Sequence, residues 1–247
     1  MKFYNRSRFT RKPSCVLVDL DNTLFEYQPC NAAGMDAAKA LTQKLLNFGS
    51  QDFDRCFADA RSELKARLGP IGSSHSRLLY FQRMVERAGF GSQPLVMLQL
   101  EQAYWRAYLD ASKLFDHAMD FLDDLRIAGI PAVIVTDLTT QIQLRKLIIL
   151  GLDRVVDWIV TSEESGADKP APNSFELALA KVGGVEGDVW MVGDDYRCDL
   201  FGAKSAVGAI TLQKLHKGVA PPAREHDIDA AFNSFAEIRH LLTSLPN

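Results

Sequence analysis

Two carboxylates, Asp19 and Asp21, stand two residues apart where the apolar run Cys15-Val16-Leu17-Val18 ends. In an extended chain, residues i and i+2 share a face, so both acids leave the carboxyl end of one strand, where open parallel sheets take their ligands. Two like charges that close repel unless a cation or a shared proton lies between them. Three more clusters follow. Val133-Ile134-Val135-Thr136-Asp137 delivers a hydroxyl, with an acid behind it, at the end of a second apolar run. Asp168-Lys169-Pro170-Ala171-Pro172 puts a lysine in a proline-stiffened loop before a helix, and Gly193-Asp194-Asp195-Tyr196-Arg197-Cys198-Asp199 puts three carboxylates after a third run. Each has an ordinary structural explanation as a turn, a solvated loop cation or a helix cap. Their order is the informative part: an Asp-x-Asp strand, a long insert, then Thr, Lys and an acidic cluster on successive units.

The elements that must position these groups follow from periodicity. Helical spacing of apolar residues predicts four helices without a strand between them, at 33–47, 53–68, 75–88 and 94–111. The first carries Met35, Ala38, Leu41, Leu45 and Leu46 as its apolar stripe, and the aromatics Tyr104, Trp105 and Tyr108 of the fourth read as packing core. After residue 112 the pattern alternates. Strands are expected at 130–136, 158–161, 189–192 and 209–212, and helices at 115–128, 141–150, 174–182, 200–206 and 236–245. Strands alternating with single helices make an α/β fold with a doubly wound, parallel, Rossmann-like sheet, here with an all-helical cap inserted. The expected division is a basic N-terminal arm at 1–13, an α/β core at 14–30 and 113–247, and a helical cap at 31–112.

Composition narrows the class. The 247 residues are 47% hydrophobic and 24% charged, enough for a sizeable core. Net charge is −3, but Lys2, Arg6, Arg8, Arg11 and Lys12 are unopposed before Pro13; without those five, 23 basic face 31 acidic residues, a net of −8. That body has no electrostatic footprint for nucleic acid, and the arm reads as a solvated, frayed terminus. No apolar run is long enough to span a bilayer, and no signal-peptide pattern follows the basic start. Cys15, Cys30, Cys56 and Cys198 lack metal-ligand spacing and read as reduced, mostly buried thiols of a cytoplasmic protein.

The order and spelling of the four clusters resemble the haloacid dehalogenase superfamily of phosphatases. Asp19-Leu20-Asp21-Asn22-Thr23-Leu24 matches its first motif, Thr136 the second, Lys169 the third, and residues 193–199 the fourth. The resemblance implies a magnesium-dependent phosphomonoesterase working through an aspartyl-phosphate. Asp19 is then the nucleophile, Asp21 the general acid and base, Thr136 a donor to the phosphoryl, and Lys169 the counter-charge. Asp19, the backbone carbonyl of Asp21, and Asp194 would hold the metal, with Asp195 and Asp199 behind it. The physical chemistry agrees: a phosphate monoester repels a carboxylate nucleophile, so a hard cation must neutralise the site, and oxygen ligands suit Mg2+. Dehalogenases lack the second carboxylate of the first motif, so Asp21 favours phosphate chemistry. Asp137, and His75 and Arg77 at the start of the third cap helix, are candidate substrate contacts, the latter pair also explicable as a helix cap and a solvated arginine.

The motif residues all handle the phosphoryl group, so discrimination between substrates is expected from the cap acting as a lid. A weaker resemblance of residues 72–77 and of the Val-Thr-Asp at 135–137 to N-acylneuraminate-9-phosphatases and nucleotide 5′-phosphatases suggests a small sugar- or nucleoside-sized metabolite. Two alternatives stay open at this point: a phosphosugar mutase with the same machinery, and a catalytically silent protein of the same fold. The sequence carries no statement of oligomeric state.

Overall fold

A computed structural model describes residues 1–219 and 228–246. The chain divides into two compact units, Met1–Glu26 with Lys113–Asn247, and Tyr27–Ser112.

The larger unit is built on a seven-stranded sheet: β1 (Lys2–Phe3), β2 (Cys15–Val18), β3 (Ala132–Thr136), β4 (Trp158–Thr161), β5 (Val189–Gly193), β6 (Ile210–Lys214) and β7 (Ala230–Phe232). Their spatial order is β1-β7-β6-β5-β2-β3-β4, all pairs parallel except β1 with β7. The central strands are buried along their whole length, which is why their sequences run as continuous apolar stretches without alternation. β2 pairs with β3 on one side and β5 on the other, so the chain reverses its winding direction at β2. Ligands of doubly wound sheets bind at such a reversal, beyond the carboxyl ends of the strands, and Asp19 follows β2 directly.

The smaller unit is all helix: α1 (Tyr27–Leu46), α2 (Ser50–Leu68), α3 (Arg77–Arg87) and α4 (Pro94–Asp110). Helix α1 begins six residues earlier than periodicity suggests, because Pro29 falls in its first turn, where no backbone N–H is needed. Its buried face keeps Ala38 of the expected stripe but otherwise takes Cys30, Gly34 and Thr42, while Leu45 is exposed. Small residues every fourth position let α4 come close. A Cβ on Gly34 would sit 2.8 Å from the ring of Tyr104. The aromatics expected to pack do so: Tyr104 lies edge-on to Trp105 at 4.9 Å, and Phe81 to Tyr104 at 6.0 Å.

In the larger unit α5 (Ala118–Ile127), α6 (Thr140–Ile149), α7 (Ser162–Ser165), α8 (Asn173–Lys181), α9 (Gly202–Val207) and α10 (Phe235–Ser244) complete the set, with a π-helical turn at Tyr196–Phe201. The N-terminal arm corrects an expectation. It does not fray: Lys2 and Phe3 pair with β7, and Phe9 is buried edge-on to Trp190 at 5.8 Å. Asn5 and Arg8 both donate to the buried Asp229. The thiols also depart from expectation in part: all four are free, but only Cys15 and Cys30 are buried. No helix among the described residues is long and apolar enough to cross a membrane.

Candidate active site

The carboxyl ends of β2, β3 and β5 bring together Asp19, Thr136 and Asp194, and the loop before α8 adds Lys169. Asp19 is 6% exposed and gripped on both oxygens. Lys169 Nζ donates to Oδ1 at 2.7 Å, and Thr23 Oγ1 donates to Oδ2 at 2.8 Å. Asn22, at φ 65°, turns the chain sharply enough for Thr23 to reach back; Asn is among the side chains that tolerate this region. Lys169 Nζ spends its other donors on Asp199 Oδ1 at 2.6 Å and the Val135 carbonyl at 2.9 Å. Burial pulls the Lys169 pKa down, but the charges of Asp19, Asp199 and Asp137 outweigh it and hold the ammonium well above its ordinary range.

Asp199 is fully tied. Its Oδ1 takes the lysine, and its Oδ2 accepts the backbone N–H of Asp195 at 3.1 Å. Gly193 makes room for it, since a Cβ there would fall 2.5 Å from Asp199 atoms. Asp195 itself is exposed, and its Oδ1 caps the following turn through Cys198 N at 2.7 Å. Asp137 accepts the Lys169 backbone N–H at 3.0 Å, fixing the loop that delivers the lysine, and burial raises its pKa.

Asp21 is held from helix α6. Lys146 Nζ, on α6 and 1% exposed, lies 2.7 Å from both Asp21 oxygens, and Gln143 Nε2 donates to Oδ2 at 3.2 Å. Gln143 also reaches Thr136 Oγ1 and the Asp137 carbonyl, each at 2.6 Å, while its own Oε1 has no hydrogen bond. Thr23, Gln143 and Lys146 were not foreseen. A Gln and a Lys one turn apart read as the solvated face of a helix, and only their burial marks them as part of the site.

Asp19, Asp194 and Asp199 each offer a carboxylate oxygen, all within 4.8 Å of one another. Burial, then the charge of Asp19, pushes Asp194 up to about 7. Burial likewise raises Asp199 well above the carboxylate range, with Lys169 opposing it. Three crowded acids against one lysine is a donor set of hard oxygens with excess negative charge, which fits a hard divalent cation.

His75 and Arg77 belong to the helical unit. His75 ends the short 3-10 turn Gly72–His75, with Nδ1 3.5 Å from Lys65 Nζ. Arg77 is buried: it donates to the His75 carbonyl at 2.9 Å and to Tyr27 Oη at 2.7 Å, and its guanidinium lies 5.3 Å from the ring centre of Tyr104. There it bonds and stacks within its own unit instead of standing solvated.

A family model described as haloacid dehalogenase-like hydrolase matches residues 13–206. The chain is 42% identical over 200 residues to a ribulose-1,5-bisphosphate 5-phosphatase of Halopiger xanaduensis, covering 81% of this chain and 83% of that one. It is 26% identical over 231 residues to a glyceraldehyde 3-phosphate phosphatase of Methanocaldococcus jannaschii, covering 93% and 97%. Among solved structures, a 2-haloacid dehalogenase of Pseudomonas syringae superposes with a TM-score of 0.71 at 20% identity, covering 94% of this chain and 99% of that one. That last likeness concerns the fold alone.

Proposed function

Because the chain belongs to the haloacid dehalogenase-like hydrolases and is a phosphatase, we propose that it hydrolyses a small sugar phosphate, with a sugar bisphosphate of the ribulose 1,5-bisphosphate kind as its substrate and Mg2+ as its cofactor. The observation that carries the reaction is the grip on Asp19: Lys169 and Thr23 fix both oxygens of one buried carboxylate beside Asp194. The choice of sugar over nucleotide is supported by the 42% identity to a ribulose-1,5-bisphosphate 5-phosphatase.

In this reading an oxygen of Asp19 attacks phosphorus and the phosphorus–ester oxygen bond breaks, leaving an aspartyl-phosphate. Asp21 protonates the departing alkoxide, then takes a proton from the water that attacks the same phosphorus and frees Asp19 and phosphate. Lys146 holds Asp21 at both oxygens, and in this reading that grip keeps Asp21 aimed at the leaving oxygen. Thr136 Oγ1 and Lys169 Nζ offset the charge on the transferring group. Asp19 and Asp194, with Asp199 orienting Lys169 behind them, would hold Mg2+, which when bound neutralises phosphate oxygens and draws the ester toward Asp19.

The test is phosphate release from ribulose 1,5-bisphosphate, glyceraldehyde 3-phosphate and a nucleoside 5′-monophosphate, with magnesium and after chelation. The bisphosphate should be preferred, chelation should stop turnover, and magnesium should restore it. Full activity in chelator would overturn the metal assignment, and a preference for the nucleotide would overturn the substrate.

A further inference from the structure

Strand β6 ends at Lys214 with a polar pair that the phosphoryl chemistry leaves unused. Lys214 is 2% exposed, and among the described residues its ammonium donates to the carbonyl of its neighbour Leu215 at 3.0 Å, while lying 4.1 Å from the ring centre of Phe115. An ammonium has three donors. His216 packs on the same ring, at 5.1 Å between centroids, with its side chain 10% exposed; neither ring nitrogen has a partner at hydrogen-bond distance among the described residues, though the backbones of Asn22 and Lys217 lie close enough to bear on its charge. Buried donors without acceptors are costly, and native proteins keep few of them. A buried ammonium with donors to spare and an imidazole on the same aromatic ring make a ready site for an anion.

The surroundings fix what kind. Gln213 pairs in register with Gly193 and donates to the Asp194 carbonyl at 2.9 Å, so Lys214 stands level with Asp194 on the adjacent strand. Two strand spacings separate β6 from β2, about 10 Å, which is the scale of a five-carbon sugar with a phosphate at each end. Among the described residues the acids facing the pair are Asp194 and Glu26. Glu26 is 3.9 Å from His216 Nδ1 and 44% exposed, so solvent weakens its hold. Burial and Lys214 lower the His216 pKa, so the ring is neutral at pH 7 and keeps one N–H to donate.

We propose that Lys214 and His216 form a second anion site, which holds the non-reacting phosphate of a bisphosphorylated sugar while its other phosphate lies at Asp19. This rests on the sugar-phosphate reading above and adds the residues that select two phosphates over one.

The experiment compares matched pairs, ribulose 1,5-bisphosphate with ribulose 5-phosphate and fructose 1,6-bisphosphate with fructose 6-phosphate. Its readout is the ratio of kcat/KM for bisphosphate over monophosphate in wild type, Lys214→Met and His216→Gln. A lost charge-assisted hydrogen bond is worth on the order of tenfold, so the ratio should fall by about that factor in Lys214→Met and by less in His216→Gln, chiefly through KM of the bisphosphate. Lys214→Arg, which keeps the charge, should retain most of the ratio and serves if the methionine variant does not fold. A ratio unchanged while both activities fall together would make Lys214 only a counter-charge to Asp194 and overturn the site, as would a wild type indifferent to the second phosphate. A wild type that favours fructose 1,6-bisphosphate, with that preference lost in the variants, would keep the site and discard ribulose as the sugar.

Discussion

Asp19 sits between a lysine that offsets its charge and a threonine that fixes its second oxygen, so its carboxylate is oriented before any substrate arrives. Asn at this position would keep the shape and nearly all the packing but attack phosphorus poorly. Asp19→Asn should therefore lower kcat by at least roughly 10^3-fold with the thermal transition intact; a folded variant turning over at the wild-type rate would refute the nucleophile. Asp194 makes a prediction of opposite sign for stability. Its folded-state pKa is raised to about 7 from 3.8, by burial and then by Asp19. A raised carboxylate pKa stabilises the fold below the unfolded value, and that contribution is lost as pH rises through the folded value. In chelator at pH 8, Asp194→Asn should then be more stable than wild type, by roughly 3–8 °C in Tm. At pH 5 the wild-type residue is already protonated and most of the difference should vanish. Unfolding curves at the two pH values, with chelator, check this; equal Tm at pH 8 would count against the crowding of charge. The motif residues were legible because a strand end fixes where its last side chains point. Thr23, Gln143 and Lys146 were not, since hydroxyl, amide and amine are equally at home in turns and on solvated helix faces.

Helix α6 carries the part of the site that periodicity hides. One turn of it sends Gln143 to Thr136 and Lys146 to Asp21, so this helix positions the hydroxyl and the proton carrier together. Lys146→Met would free Asp21 from its bidentate partner without touching Asp19. The loss should depend on the leaving group: about tenfold or more with a sugar phosphate, whose alkoxide needs a proton, and little with p-nitrophenyl phosphate, whose phenolate does not. Equal loss on both esters would make Lys146 a packing residue. Five of the six parallel strands were readable as apolar runs, and the longer helices of the α/β unit as the segments between them, to within a few residues; the three-residue β7 and the single turn of α7 are too short to leave a periodic signal. The apolar stripe of α1 was misread for a physical reason. Periodicity seeks large apolar side chains, whereas α1 buries Gly34, Ala38 and Thr42 so that Tyr104 can approach. The π-helical turn at Tyr196–Phe201 likewise has no periodic signature; its start is set by Asp195 capping Cys198.

On the scale of the whole chain, the N-terminal segment and the last strand are interdependent, which charge counting could not reveal. Five unopposed basic residues suggest a solvated arm, yet Phe3 and Phe9 supply apolar anchors and Asp229 supplies a buried acceptor. Asp229 Oδ2 takes the backbone N–H of Thr211 at 2.9 Å and its hydroxyl at 3.1 Å, while the Asp229 carbonyl accepts Tyr4 N and Asn5 N at 2.9 and 3.0 Å. The side chain also accepts from Asn5 and, at the long distance of 3.5 Å, from Arg8. One acid thus stitches β6, β7 and the segment after β1 into the sheet edge. Asp229→Ala leaves buried donors on Thr211 without acceptors, a loss of about 2–4 kcal/mol, or roughly 5–12 °C in Tm for a chain of this size. Arg8 is a third exposed and its pair is long, so Arg8→Ala should cost well under 1 kcal/mol, as surface pairs generally do. The contrast separates two explanations of the ordered arm. If attraction between the basic arm and an acidic body held it, Arg8→Ala would match Asp229→Ala, and both losses would shrink as salt is raised. If buried hydrogen bonds and aromatic packing hold it, Asp229→Ala and Phe9→Ala should each lower Tm by several degrees at any ionic strength, Arg8→Ala should barely move it, and phosphate release by the folded protein at 25 °C should be unaffected in all three. Thermal unfolding of the three variants at low and high salt decides between them, and a salt-dependent loss shared equally by Arg8→Ala and Asp229→Ala would defeat the packing account.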